Sequence, residues 1–80
     1  MFIESEKHIY YNTRYIEKYY RAVNEIRAVM HNGEDVLLYT LKNYEEVSIA
    51  MSVLNHLMRN DSSVVTYTDF CNQIRKVIEA

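Results

Sequence analysis

The sequence predicts an α+β domain: a small antiparallel β-meander of three or four strands packed against one amphipathic helix, with a short helix at the C-terminal end. Three observations carry this expectation. Asn32-Gly33 separates two β-prone runs, and Asn-Gly is the pair that best tolerates the positive φ angles of a two-residue hairpin turn. Val47, Ala50, Met51, Leu54, Leu57 and Met58 recur at helical spacing. Phe70, Ile74, Val77 and Ile78 do the same after the polar cluster Asn60-Asp61-Ser62-Ser63, which reads as a loop.

Taken in order, Phe2-Ile3 starts an edge strand and Ile9-Tyr10-Tyr11 resumes one after a charged interval. The segment from 13 to 30 admits two readings. One is a strand over Tyr15 to Ala22, a turn at Asn24-Glu25 and the first arm of the hairpin. The other is a helix from Thr13 to Met30 ended by Gly33, which would make the chain mostly α with one hairpin. We adopt the strands, because Ile26 to His31 must be extended for Asn32-Gly33 to act as the turn. A two-residue loop then sets His31 opposite Glu34, Val29 opposite Val36, and Arg27 opposite Leu38 on one face. Ala28 meets Leu37 and Ile26 meets Tyr39 on the other. Ile26, Ala28, Leu37, Tyr39 and Leu41 form the expected core face.

Asn43 is an N-cap type with Glu46 in capping-box position. Ile49 and Val53 widen the apolar stripe of the following helix beyond one face, so it needs a second cover, either the C-terminal segment or another chain. Val64-Val65 is a short extended piece, and Thr66 to Asp69 has capping-box spacing for the last helix, with Thr68 as the other candidate cap.

At 80 residues the chain is one domain, spanning 1–80, near the size where a single core is barely adequate, and a homodimer is expected on that ground. A net charge of −2 with both signs interspersed predicts neither a polyanion-binding surface nor a polyanion mimic. Cys71 is the only cysteine, which suits a reducing compartment and points to the cytoplasm. No segment reads as a signal peptide or membrane span.

Eight tyrosines are the compositional oddity. Tyr10, Tyr11, Tyr15, Tyr19 and Tyr20 crowd one stretch and alternate with Arg14, Lys18 and Arg21. Tyr and Arg are enriched where proteins meet, so the expected partner-binding residues are Arg14, Tyr15, Tyr19, Tyr20 and Arg21, with Ile49 and Val53 as spare apolar surface. On a strand, Tyr15, Tyr19 and Arg21 would share a face. The competing use is a stacking platform for single-stranded nucleic acid. His8, His31, His56 and Cys71 lack metal-ligand spacing, Ser52 and His56 lack an oxyanion arrangement, and one glycine is too few for a phosphate loop. No catalytic residue, metal or cofactor is assigned.

The runs Tyr10-Tyr11-Asn12-Thr13-Arg14-Tyr15-Ile16, Ile26-Arg27-Ala28-Val29-Met30-His31-Asn32-Gly33, Leu38-Tyr39-Thr40-Leu41 and Tyr44-Glu45-Glu46-Val47 together resemble short proteins of low-GC bacteria and their prophages. That resemblance spans roughly residues 9 to 58 and lacks a diagnostic motif. It implies an accessory role on a mobile element, of the kind filled by anti-CRISPR inhibitors of host defence. The expected function is a non-enzymatic protein-binding module that occludes a target surface; a nucleic-acid-binding regulator and a self-associating structural subunit are the alternatives.

Overall fold

The computed structural model describes residues 1–59 and 63–79. It is an α+β fold with strands β1 (Phe2–Glu4), β2 (Tyr10–Asn12), β3 (Ile16–Ala22), β4 (Glu25–Met30), β5 (Asp35–Thr40) and β6 (Val64–Val65). The helices are α1 (Tyr44–Arg59) and α2 (Tyr67–Glu79), and a single 3-10 turn covers Thr13–Tyr15. The helical alternative for 13 to 30 is therefore excluded, and β3 and β4 stand close to where the aromatic and β-branched residues placed them. The Asn60 to Ser62 part of the expected loop lies outside the described residues.

The strands form two sheets instead of one continuous meander. β3, β4 and β5 make an antiparallel sheet in that order, while β1 lies between β2 and β6 in the other. Phe2-Ile3, expected at an edge, is thus central, pairing antiparallel with β2 and parallel with β6. Nothing local signals a parallel pairing of Ile3 with Val65, since it closes almost the whole chain.

The hairpin at Asn32-Gly33 forms with a different loop. The Met30 N–H donates to the Glu34 carbonyl at 2.8 Å and the Gly33 N–H to the Met30 carbonyl at 2.9 Å, enclosing His31-Asn32-Gly33. Gly33 takes φ +89°, whereas Asn32 is not among the positive-φ residues. A two-residue type I′ turn needs positive φ at both central positions, so the chain adopts the longer loop that needs it only at glycine. Val29 consequently faces Asp35, Ala28 faces Val36 and Arg27 faces Leu37, each one place from the expected partner. A bulge at Ile26/Arg27 then absorbs the shift, and Ile26 faces Tyr39 as the sequence indicated.

That slip decides the core. Val36 and Leu38, placed by the sequence on the face opposite the expected core, are 6% and 0% exposed, while Leu37 stays outside the core. Leu38 and Tyr39 are consecutive yet both buried, because the bulge places one extra residue on β5 and breaks the alternation. Ile26, Ala28, Val36, Leu38 and Tyr39 meet Val47, Ala50 and Leu54 of α1, the stripe that helical periodicity marked. α2 supplies the second cover that α1 needed. Phe70 stacks on Tyr39 with ring centres 3.8 Å apart, and Val53 is buried.

Both helix starts follow their sequence signals. Asn43 Oδ1 accepts the Glu46 N–H at 3.0 Å, and the Glu46 carboxylate accepts the Lys42 N–H at 3.1 Å, one residue before the cap. Thr66, not Thr68, caps α2, its hydroxyl accepting the Asp69 N–H at 3.1 Å. A further orphan donor at that terminus, the Tyr67 N–H, reaches the Glu4 carboxylate at 2.8 Å. Glu4 also receives His8 at 3.0 Å, so its carboxyl titrates below the ordinary range, held down first by the Tyr67 backbone bond and then by His8. Among the described residues no helix is long and apolar enough to cross a membrane.

Candidate protein-binding edge

The meander has two outer strands, and among the described residues only β5 has part of its outer edge covered. Along β5 the Glu6 N–H donates to the Leu38 carbonyl at 2.9 Å and the Thr40 N–H donates to the Glu6 carboxylate, so the β1–β2 connection covers the Leu38–Thr40 end of that edge. β3 is the other outer strand, and no strand among the described residues pairs with its far side.

Which groups β3 presents follows from its register with β4. Ala22 faces Glu25 across the loop Val23-Asn24, which makes them the hydrogen-bonded pair that closes a two-residue hairpin. Counting back by twos, Tyr20 and Lys18 turn their backbone groups toward β4, and Arg21 and Tyr19 turn theirs outward. A bulge between Ile16 and Lys18 ends this regular ladder at Glu17. At the other end Val23 holds φ +58°.

Side chains flank the edge on both faces. On the helix side Tyr19 faces Ala28 and Arg21 faces Ile26. Tyr19 is half-buried against the core, and burial raises its hydroxyl pKa. The Arg21 guanidinium reaches over α1, donating to Ser48 Oγ at 2.8 Å and lying 4.7 Å from the Tyr44 ring centre. On the open face the Tyr20 hydroxyl donates to the Asp35 carboxylate, Arg27 Nε donates to Asp35 at 2.8 Å, and Arg27 also bonds Glu25 at 3.1 Å. Donation to the Asp35 carboxylate raises the Tyr20 pKa, and the same hydroxyl, followed by Arg27, lowers that of Asp35. Lys18 Nζ sits 6.0 Å from the Tyr20 ring.

The residues singled out in the sequence are dispersed by this geometry. Tyr19 and Arg21 share a face, as expected, and Tyr20 lies on the opposite one. Tyr15 does not join them: it ends the 3-10 turn before the bulge, is 57% exposed, and lines a cavity of about 360 Å³ with Tyr11, Met30 and His31. Arg14 is exposed beside it. Ile49 is half-buried near Ile78, and Val53 is unavailable as a docking surface because α2 covers it.

Three features of the surroundings were missed. Ser48 and Tyr44 fix Arg21, and an exposed tyrosine one turn before a serine on α1 is the only signal that could have found them. Asp35, at the start of β5, anchors Tyr20 and Arg27. A cavity of about 250 Å³ opens beside the Tyr39, Tyr67 and Phe70 rings, with Cys71 and Arg75 in its wall. Among the described residues no group of three or more His, Cys, Asp or Glu is placed to hold a metal.

Comparison with family models found no match. Curated proteins and solved structures likewise gave none.

Proposed function

We propose that this chain is a non-enzymatic protein-binding module that takes up its partner by strand addition at β3. The observation that carries the reading is the asymmetry of the meander. Glu6 covers the Leu38–Thr40 end of the β5 edge, while β3 keeps the backbone groups of Tyr19 and Arg21 turned outward between tyrosine and arginine side chains on both faces. Main-chain hydrogen bonds supply affinity in this mode and alternate side chains supply specificity. The prophage-type inhibitor implied by the sequence resemblance is one use of such an edge, since a strand added to a target's sheet blocks whatever that sheet would otherwise meet.

Nucleic-acid stacking draws less support. Tyr19 and Tyr20 point to opposite faces and so do not form one platform, and Arg27 is held by Asp35 and Glu25.

The test is affinity capture from bacterial lysate with and without nuclease, followed by amide hydrogen exchange on the captured complex. Nuclease-resistant capture with slowed exchange at Tyr19 and Arg21 is expected, and Arg21→Glu should weaken it. Protection confined to residues outside β3 would refute strand addition, and loss of all partners on nuclease treatment would transfer the reading to nucleic acid.

A further inference from the structure

Resting on the strand-addition reading, we infer that the partner at β3 is a second copy of this chain, paired antiparallel with Tyr19 opposite the other copy's Arg21. The register follows from what bounds the edge. Tyr19 and Arg21 are the outward residues between the bulge at Glu17 and the turn at Val23. A two-fold pairing that sets Tyr19 against Arg21 places both in hydrogen-bonded pairs. Sliding by two residues one way sets Arg21 against the bulge. Sliding the other way sets Tyr19 against the turn residue Val23 and brings the two Arg21 side chains directly opposite each other, a like-charge pair that destabilises.

Side-chain chemistry favours the same register. On the helix side each Arg21 cation faces the other copy's Tyr19 ring while remaining over its own Tyr44, an arrangement in which guanidinium and ring faces attract. On the open face the two Tyr20 side chains meet on the two-fold axis in a non-hydrogen-bonded pair, where opposing side chains come closest. Lys18 lies opposite Ala22, so no like charges face each other across the seam. The strand is thus complementary to itself, and pairing extends the sheet of a chain whose small size limits its own core.

Single cysteines placed on β3 in a Cys71→Ser background test the register. Non-hydrogen-bonded partners sit about 4.5 Å apart between Cα atoms, within disulfide reach, so Tyr20→Cys should oxidise to a covalent dimer. Lys18→Cys should not, because its twin lies four residues along the seam, about 13 Å away at about 3.3 Å per residue. Tyr20→Cys also loses the bond to Asp35, so sedimentation of the unmodified chain gives a second readout: a dimer is expected, weakened about tenfold or more in Arg21→Glu. Equal cross-linking at both positions, or a monomer at millimolar concentration, overturns the second-copy inference. Strand addition itself is judged separately by amide exchange: protection of Tyr19 and Arg21 in the dimer, or in a complex of a monomeric chain with another protein, sustains it, and fast exchange of both amides in every complex refutes it.

Discussion

Val23 is where backbone and side chain disagree most sharply. It occupies the first position of the β3–β4 turn at φ +58° and is 87% exposed. A β-branched residue in the left-handed region is a steric outlier, and the conformation costs an L-residue roughly 1–2 kcal/mol. Replacing it by glycine removes that cost and sacrifices little packing, since so little of Val23 is covered. Against this, glycine adds about 0.5–1 kcal/mol of unfolded-chain entropy. At the middle of these ranges the net expectation for Val23→Gly is a stabilisation of about 0.75 kcal/mol, which at ~4–8 °C per kcal/mol for a domain this size is a rise of roughly 3–6 °C in Tm. Asparagine, which tolerates this region better than other residues with a Cβ, should give a smaller gain, and alanine little. Thermal and urea denaturation followed by circular dichroism read all three. If Val23→Gly melts at or below the parent chain, the turn does not hold positive φ at this position and the register placing Tyr19 and Arg21 outward loses its anchor.

The remaining expectations concern the hairpin, the helix caps and acid stability. Leu38→Ala should cost about 2–5 kcal/mol and Leu37→Ala much less in urea titrations, whereas a two-residue loop with unbroken alternation would reverse that order. Asn43→Ala should cost about 1 kcal/mol by removing the cap on the Glu46 N–H, measured as a lower urea midpoint at unchanged slope. Glu4 binds its proton less tightly in the folded chain than its ordinary value of 4.5 implies. Its stabilising effect is therefore complete above that value and is lost as the pH falls through the lower folded one. Glu4→Gln should accordingly flatten the acid limb of the stability curve, and an unchanged limb would mean that Glu4 does not staple β1 to α2.

The sequence carried the meander, both helices and both caps, because each rests on neighbours within a turn or a strand length. It also located the tyrosine–arginine stretch that lies along the open edge. Its error at the hairpin has a definite physical origin: Asn-Gly serves a two-residue and a three-residue loop equally well, and one residue of difference exchanges Leu37 for Leu38 in the core. The scattering of Tyr15 from Tyr19 has a similar cause, since a bulge inside a strand leaves no mark in the residue pattern.

Local chemistry alone determined the positions of β5, α1 and α2 and the Asn43 cap; it favoured strands over a helix for residues 13–30 and offered both Thr66 and Thr68 as caps for α2, which the structure resolved. Tertiary structure decided what lies far apart in sequence: β1 between β2 and β6, Glu4 on the N-terminus of α2, Glu6 over the β5 edge, and hence β3 as the edge left open. Apart from the β1–β2 pairing, those contacts join residues separated by tens of positions, and the free energy selecting them is burial and hydrogen-bond satisfaction summed over the folded chain, which no local window of the sequence contains.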